Sequence, residues 1–313
     1  VGTPGGASIR NASTLARESA FHGQVIWVSG LTAAVWPAWS AFIADYANAC
    51  RAREPGDRAL FIIELQGELD DAPPTSDVCL AIHQWGGTVS RMDMLLLGMQ
   101  LLRRRRLQPF QRQIAAAVIA RVAAWDPAVA ERLAAENLPS MMRPEPILRE
   151  LAAERGWDAR IGLTLQTSAS LAAWRAGLAD TVDGEMTVHP AALTAIDLAD
   201  RVREIDRRIW CAQIGVVMPF VEEQRRRIIE QHAATLRIPH FSGRANDPPI
   251  MEREDLELRH IVHQIAVQHV SLGDETNRRV RRLKQARDRL AHLQPLDAAW
   301  FSNDEFRVFS ADQ

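Results

Sequence analysis

A chain of 313 residues, 47% hydrophobic and 24% charged, has the make-up of a globular protein long enough for two domains, which sets aside disordered, collagen-like and disulfide-framed classes. A net charge of -2 gives no global pull toward polyanions. The three cysteines, Cys50, Cys79 and Cys211, are scattered and never paired as Cys-x-x-Cys, so neither a disulfide framework nor a zinc knuckle is expected.

The chain opens on a glycine-rich loop, with Gly2, Gly5 and Gly6 around Pro4. Asn11-Ala12-Ser13-Thr14 then reads as the capped start of a helix. Val25-Ile26-Trp27-Val28 and Ala59 to Leu65 are β-prone runs, read as buried strands, and Trp36 to Ala47 carries apolar residues at helical spacing between them. Loop, helix, strand, helix, strand is the order of a small parallel α/β layer. Asp77 to Gln84 reads as a helix, Gly87 to Ser90 as a further strand, and Met92 to Arg106 as a helix whose basic end suits the helix dipole.

Residues 110–156 are alanine- and leucine-rich helices punctuated by Trp125-Asp126-Pro127 and Arg143-Pro144-Glu145-Pro146. From 156 to 190, Gly162, Gly177, Gly184 and Pro190 predict irregular structure with short helices. Ala191 to Leu236 reads as helix with Pro219 inside it, Arg237 to Pro249 as a loop, and Glu252–Val270 and Asp274–Leu293 as two closing helices. The expected architecture is mainly α, with a small α/β N-terminal layer (1–109), a helical connector (110–190) and a C-terminal antiparallel helical bundle (191–313).

No apolar run reaches the roughly 18 residues of a membrane span, and the start lacks the layout of a signal peptide. A cytoplasmic protein without membrane contact is therefore expected.

A glycine-rich loop feeding a helix can cradle phosphate on free backbone N–H groups. Gly2-Thr3-Pro4-Gly5-Gly6, with Leu15-Ala16-Arg17-Glu18 and the strand Leu60-Phe61-Ile62-Ile63-Glu64, resembles the opening of the P-loop ATPases of the signalling (STAND) type. The resemblance implies nucleotide contacts from Gly2, Gly5, Gly6 and Ser13. The chain departs from that family where the phosphate-binding lysine should stand, because Lys284 is its only lysine and Ala7-Ser8 or Ala12-Ser13 occupies the place. Without that ammonium the β- and γ-phosphates lose their counter-charge, so a degenerate loop that does not hydrolyse ATP is expected. No cofactor and no metal are expected.

Near the C-terminus, Arg287-Asp288-Arg289-Leu290-Ala291-His292 resembles the Arg-x4-His signature of HEPN domains, helical bundles that serve as metal-independent ribonucleases or as interaction modules in prokaryotic defence. The resemblance covers roughly residues 200–300. It implies Arg287 as the cation for phosphorane charge and His292 as general acid or base. Five residues on a straight helix are about 140° apart, so the pair needs either a helix end at His292 or a second copy across a dimer. Two functions follow: an interaction protein working through a protein partner or homodimer, or a ribonuclease acting on RNA.

Other constellations read as structural. Glu257-x-x-His260 with His263 has metal-ligand spacing but lacks a second Glu-x-x-His, and it sits beside Leu258, Ile261 and Ile265. Glu64, Glu68, Asp70 and Asp71 read as a solvated acidic turn. The nine tryptophans read as core and interface anchors.

Overall fold

The computed structural model describes residues 11–31, 34–65, 79, 81, 86–162, 171–196, 199–241, 248–267, 270–302 and 306. They belong to two compact units, each discontinuous in sequence: 1–88 with 160–188, and 89–159 with 189–313. The fold is mainly α with a small α/β part. No described helix is long and apolar enough to cross a membrane.

In the first unit, α1 (Ala12–Arg17) starts at Asn11, whose side chain accepts from the Thr14 N–H at 2.7 Å. Strand β1 (Val25–Leu31) pairs in parallel with β2 (Leu60–Leu65), and α2 (Trp36–Cys50), with Pro37 in its first turn, forms the crossover between them. Leu15, Ala16, Tyr46, Cys50 and Ala59 form the core, against which Ile26, Phe42 and Phe61 pack. The Tyr46 hydroxyl accepts from the Ala59 N–H at 2.9 Å and donates to the Ala59 carbonyl at 3.2 Å, joining helix to strand.

The parallel pair is as expected, but its burial is not. Val25 and Trp27 sit opposite Leu60 and Ile62 in the ladder, and all four are exposed. Among the described residues, helices cover only one face of the pair.

Residues 171–188 differ from the irregular segment expected. After α8 (Leu171–Arg175), β3 (Ala179–Val182) and β4 (Glu185–Val188) form an antiparallel hairpin around Asp183-Gly184. Both turn residues have positive φ, 51° and 84°, which makes this the tight two-residue turn that matches strand twist. Asp180 accepts from the Gly87 N–H at 2.9 Å. Gly87 has φ of +69°, and a Cβ there would come within 3.3 Å of Thr181, so the expected strand over 87–90 is replaced by a bend that needs glycine.

The second unit is helical: α3 (Arg91–Leu101), α4 (Pro109–Ala123), α5 (Pro127–Ala135), α6 (Leu138–Met141), α7 (Glu145–Glu154), α9 (Pro190–Ala195), α10 (Ala199–Gln231), α11 (Leu258–Ala266) and α12 (Asp274–Ala291). Prolines mark the starts, with Pro109, Pro127, Pro139, Pro146 and Pro190 each in a first turn, where a missing N–H costs nothing. Ser90 and Asp93 cap α3 reciprocally, and α3 stops at Leu101, so the arginines to Arg106 lie beyond its end.

Helix α4 is apolar nearly all round and lies at the centre, packed by α3 and α10. Its Ile114, Val118, Ile119 and Val122 are fully buried, each worth about 1.5–3 kcal/mol of transfer free energy. Helix α10 continues through Pro219. Helix α12 presents Val280, Leu283, Ala286 and Leu290 at spacings of three and four, and they are buried toward α10 and α11. The Trp210 indole donates to the Leu290 carbonyl at 2.7 Å, and the Arg282 guanidinium lies 3.3 Å from the centre of the Trp300 ring.

Helix α11 begins six residues later than the sequence suggests. Residues 251–257 instead form turns that lead to its cap.

Candidate functional site

Arg287 lies in a cleft of about 630 Å³ bounded by α10, the start of α11 and α12. Met218, Pro219, Val221 and Leu258 supply its apolar lining, and Glu222, Arg225, Glu254, Asp255 and Glu257 supply charge around Arg287. Four carboxylates thus face two guanidiniums.

Both guanidiniums are already engaged. Arg225 grips Glu222 one turn earlier, with Nε 3.0 Å from Oε2. Its Nη1 donates to the carbonyls of Glu254 (2.7 Å) and Leu256 (2.8 Å), which fixes the loop at the rim. The hydrogen bond from Arg225 holds the Glu222 carboxyl below its ordinary pKa, and the same bond raises that of Arg225. Arg287 lies 3.5 Å from Glu257 and 3.7 Å from Asp288. Among the described residues, the side chains of Glu254 and Asp255 form no hydrogen bond or ion pair.

The helix end called for at His292 is present. Helix α12 stops at Ala291, and His292 is its C-cap, with its N–H on the carbonyls of Asp288 and Arg289 at 3.1 Å. The imidazole is exposed and is not among the residues lining the cleft that holds Arg287. Four carboxylates line the cleft with Arg287, and their repulsion of a phosphate opposes RNA binding there. The lone lysine, Lys284, is one turn away on α12, with Nζ 2.5 Å from Asp288.

Glu257 and His260 are a capping pair, not metal ligands. The Glu257 carboxylate accepts from the third backbone N–H of α11, and His260 Nδ1 accepts from the Glu257 N–H at 3.1 Å. His240 is fully buried 5.4 Å from His260 and 5.2 Å from His263, ring centre to ring centre. Burial, reinforced by those two rings, lowers its pKa and keeps it neutral. Among the described residues no group of three ligating side chains is arranged to hold a metal ion.

Of the residues implied in nucleotide contact, Gly2, Gly5 and Gly6 lie outside the described residues. Ser13 is exposed in the first turn of α1. Glu64 ends in β2, while Glu68, Asp70 and Asp71, like most of the helix expected over Asp77–Gln84, lie outside the described residues.

A second charged cluster has no motif in the sequence to announce it. Asp126 caps α5 through its Oδ1, 2.8 Å from the Ala128 N–H, while its Oδ2 takes hydrogen bonds from Arg155 and from His189 Nε2 at 2.8 Å. The edges of Trp125 and Trp157 close on the His189 ring. An Asp–His pair of this kind can serve proton transfer, but His189 is 1% exposed and its Nδ1 is occupied by the Ala191 N–H. Neither ring nitrogen is open to a substrate, so the cluster holds α5, α7 and α9 together.

No protein-family model, curated protein or solved structure matches this chain.

Proposed function

We propose that the chain is a non-hydrolysing interaction protein that acts through protein–protein contacts, with the α10–α11–α12 cleft as a contact site. The observation that carries this reading is the charge around Arg287: four carboxylates against two guanidiniums, where RNA cleavage would need a net positive pocket. The lysine count adds support at the other end of the chain, because the only lysine, Lys284, is bound to Asp288 on α12. The resemblances to STAND and HEPN proteins suggest a prokaryotic signalling or defence setting.

A metal-independent ribonuclease using Arg287 and His292 is the second reading. The helix end at Ala291, which leaves His292 exposed, is the observation in its favour. Incubation of the protein with RNA in EDTA, beside a His292→Ala variant, separates the two. The interaction reading expects no cleavage by either protein and no ATP turnover above background. Cleavage by the parent chain that the variant lacks would establish the enzyme instead.

A further inference from the structure

We infer that the occupant of the α10–α11–α12 cleft is a basic peptide segment of a partner protein, in which arginine or lysine side chains flank an aliphatic one. This rests on the interaction reading and supplies the chemistry of the partner. Charge matching within the cleft carries it. Arg225 neutralises Glu222, and Glu257 is paired with Arg287 at 3.5 Å and with Arg259 at 3.2 Å, so two of the four carboxylates are matched by cations. Glu254 and Asp255 are exposed at the rim and are left over.

The backbone that carries those two carboxylates is also held in place. The Arg225 guanidinium ties down the Glu254 and Leu256 carbonyls, so the loop does not have to be ordered when a ligand arrives. Next to them is an apolar wall of Met218, Pro219, Val221 and Leu258. An acidic rim beside an apolar wall selects a ligand that is cationic and aliphatic at once, and the flexible thioether of Met218 adapts to the shape of the aliphatic group. A volume of about 630 Å³ admits side chains and excludes a folded domain, which makes an extended segment the fitting form.

The test uses the full chain and a fluorescein-labelled short peptide alternating Arg and Leu, with a Glu/Leu peptide as its charge-reversed counterpart, read by fluorescence anisotropy. The Arg/Leu peptide is expected to bind, to weaken as salt is raised, and to bind about fivefold or more weakly to a Glu254→Gln/Asp255→Asn double variant. A Glu131→Gln/Glu150→Gln variant removes the same charge from exposed sites on α5 and α7 and is expected to bind like the parent. Equal binding of both peptides, equal weakening by both variants, or no binding of the Arg/Leu peptide would each overturn the assignment. The wider interaction reading fails on a different result, EDTA-resistant RNA cleavage that depends on His292.

Discussion

The side-chain amide of Gln213 on α10 hydrogen-bonds both backbone groups of Leu296, taking its N–H and giving to its carbonyl, each at 2.7 Å. Gln213 is fully buried, so water cannot take over either bond. Together with the Gln111 side chain, which donates to the Phe301 carbonyl at 2.9 Å, it anchors the segment after α12, including the buried Trp300 and Phe301, to the central bundle. Gln264 on α11 makes the same two-way clasp with Arg237, at 2.8 and 3.0 Å.

Replacing Gln213 with Leu keeps the volume and strands both Leu296 groups. Each buried orphan costs about 1–3 kcal/mol, so Gln213→Leu is expected to lower unfolding free energy by about 2–6 kcal/mol. Urea titration followed by tryptophan fluorescence measures it. A loss under about 1 kcal/mol would mean that aromatic packing and the Gln111–Phe301 hydrogen bond suffice to hold the segment.

The Asp126–His189–Arg155 cluster makes stability pH-dependent, and the sign can be worked out group by group. Burial lowers the His189 pKa below its usual 6.5. The unfolded chain therefore takes up a proton that the folded one resists, and stability declines as pH falls below about 6.5. Burial works against ionisation of Asp126 too, but its hydrogen bond with His189 and the nearby charges of His189 and Arg155 outweigh that and bring its pKa to about 2. Its contribution is complete above about pH 3.9 and fades as pH falls toward 2. Urea midpoints are expected to fall from neutral pH to about pH 5 and again below about pH 4. In a His189→Asn variant the first decline should largely vanish, and a decline that persists would move its origin to another group such as His240.

Gly98 on α3 lies close against α4. A Cβ there would sit 3.3 Å from the Ala116 carbonyl oxygen and 3.4 Å from the Ile119 side chain. Helix propensity alone favours Gly98→Ala by about 0.5–1 kcal/mol, which sets a small gain against a tight contact with backbone. Gly98→Val adds two methyls that the α4 backbone cannot move aside to accept, and a loss of about 1–3 kcal/mol is expected. Thermal unfolding of both variants checks the pair. A Val variant as stable as the parent would show that α3 slides on α4.

Much of this architecture is legible from local chemistry, because capping and proline placement act within a few residues. Asn11 and Asp126 announce α1 and α5, and the proline-led helices follow from the fixed φ and missing N–H of proline, whereas Ser90, which caps α3, reads as the end of a strand. The β3–β4 hairpin is legible too, since Asp183-Gly184 between Thr181-Val182 and Glu185-Met186 is a tight-turn signal, but Gly177 and Pro190 around it read as irregularity. The late start of α11 is harder to see, because Glu252, Arg253 and Glu254 have good helix propensity and only the Glu257–His260 cap shows where the helix begins. The cleft is not legible at all: Met218, Asp255 and Arg287 meet through packing of three helices. Local pattern marks Arg287 and cannot show that carboxylates from two other segments surround it.

Val25, Trp27, Leu60 and Ile62 make the outward face of the β1–β2 pair an exposed apolar surface. Apolar β-prone runs in parallel strands are normally covered on both faces, which is why Val25-Ile26-Trp27-Val28 reads as buried. In the structure Ile26 and Phe61 take the covered side, while Trp27, 66% exposed, and its ladder partner Ile62 take the open one. Because Trp27 gives up little surface on folding, Trp27→Ser is expected to change unfolding free energy by less than about 0.5 kcal/mol, whereas Phe61→Ser, which strips the core-facing side, should cost about 2–4 kcal/mol. Denaturant curves of the two variants, run side by side, read the asymmetry directly. If Trp27→Ser proved as damaging as Phe61→Ser, the outer face would have to be covered in solution by some other part of the protein.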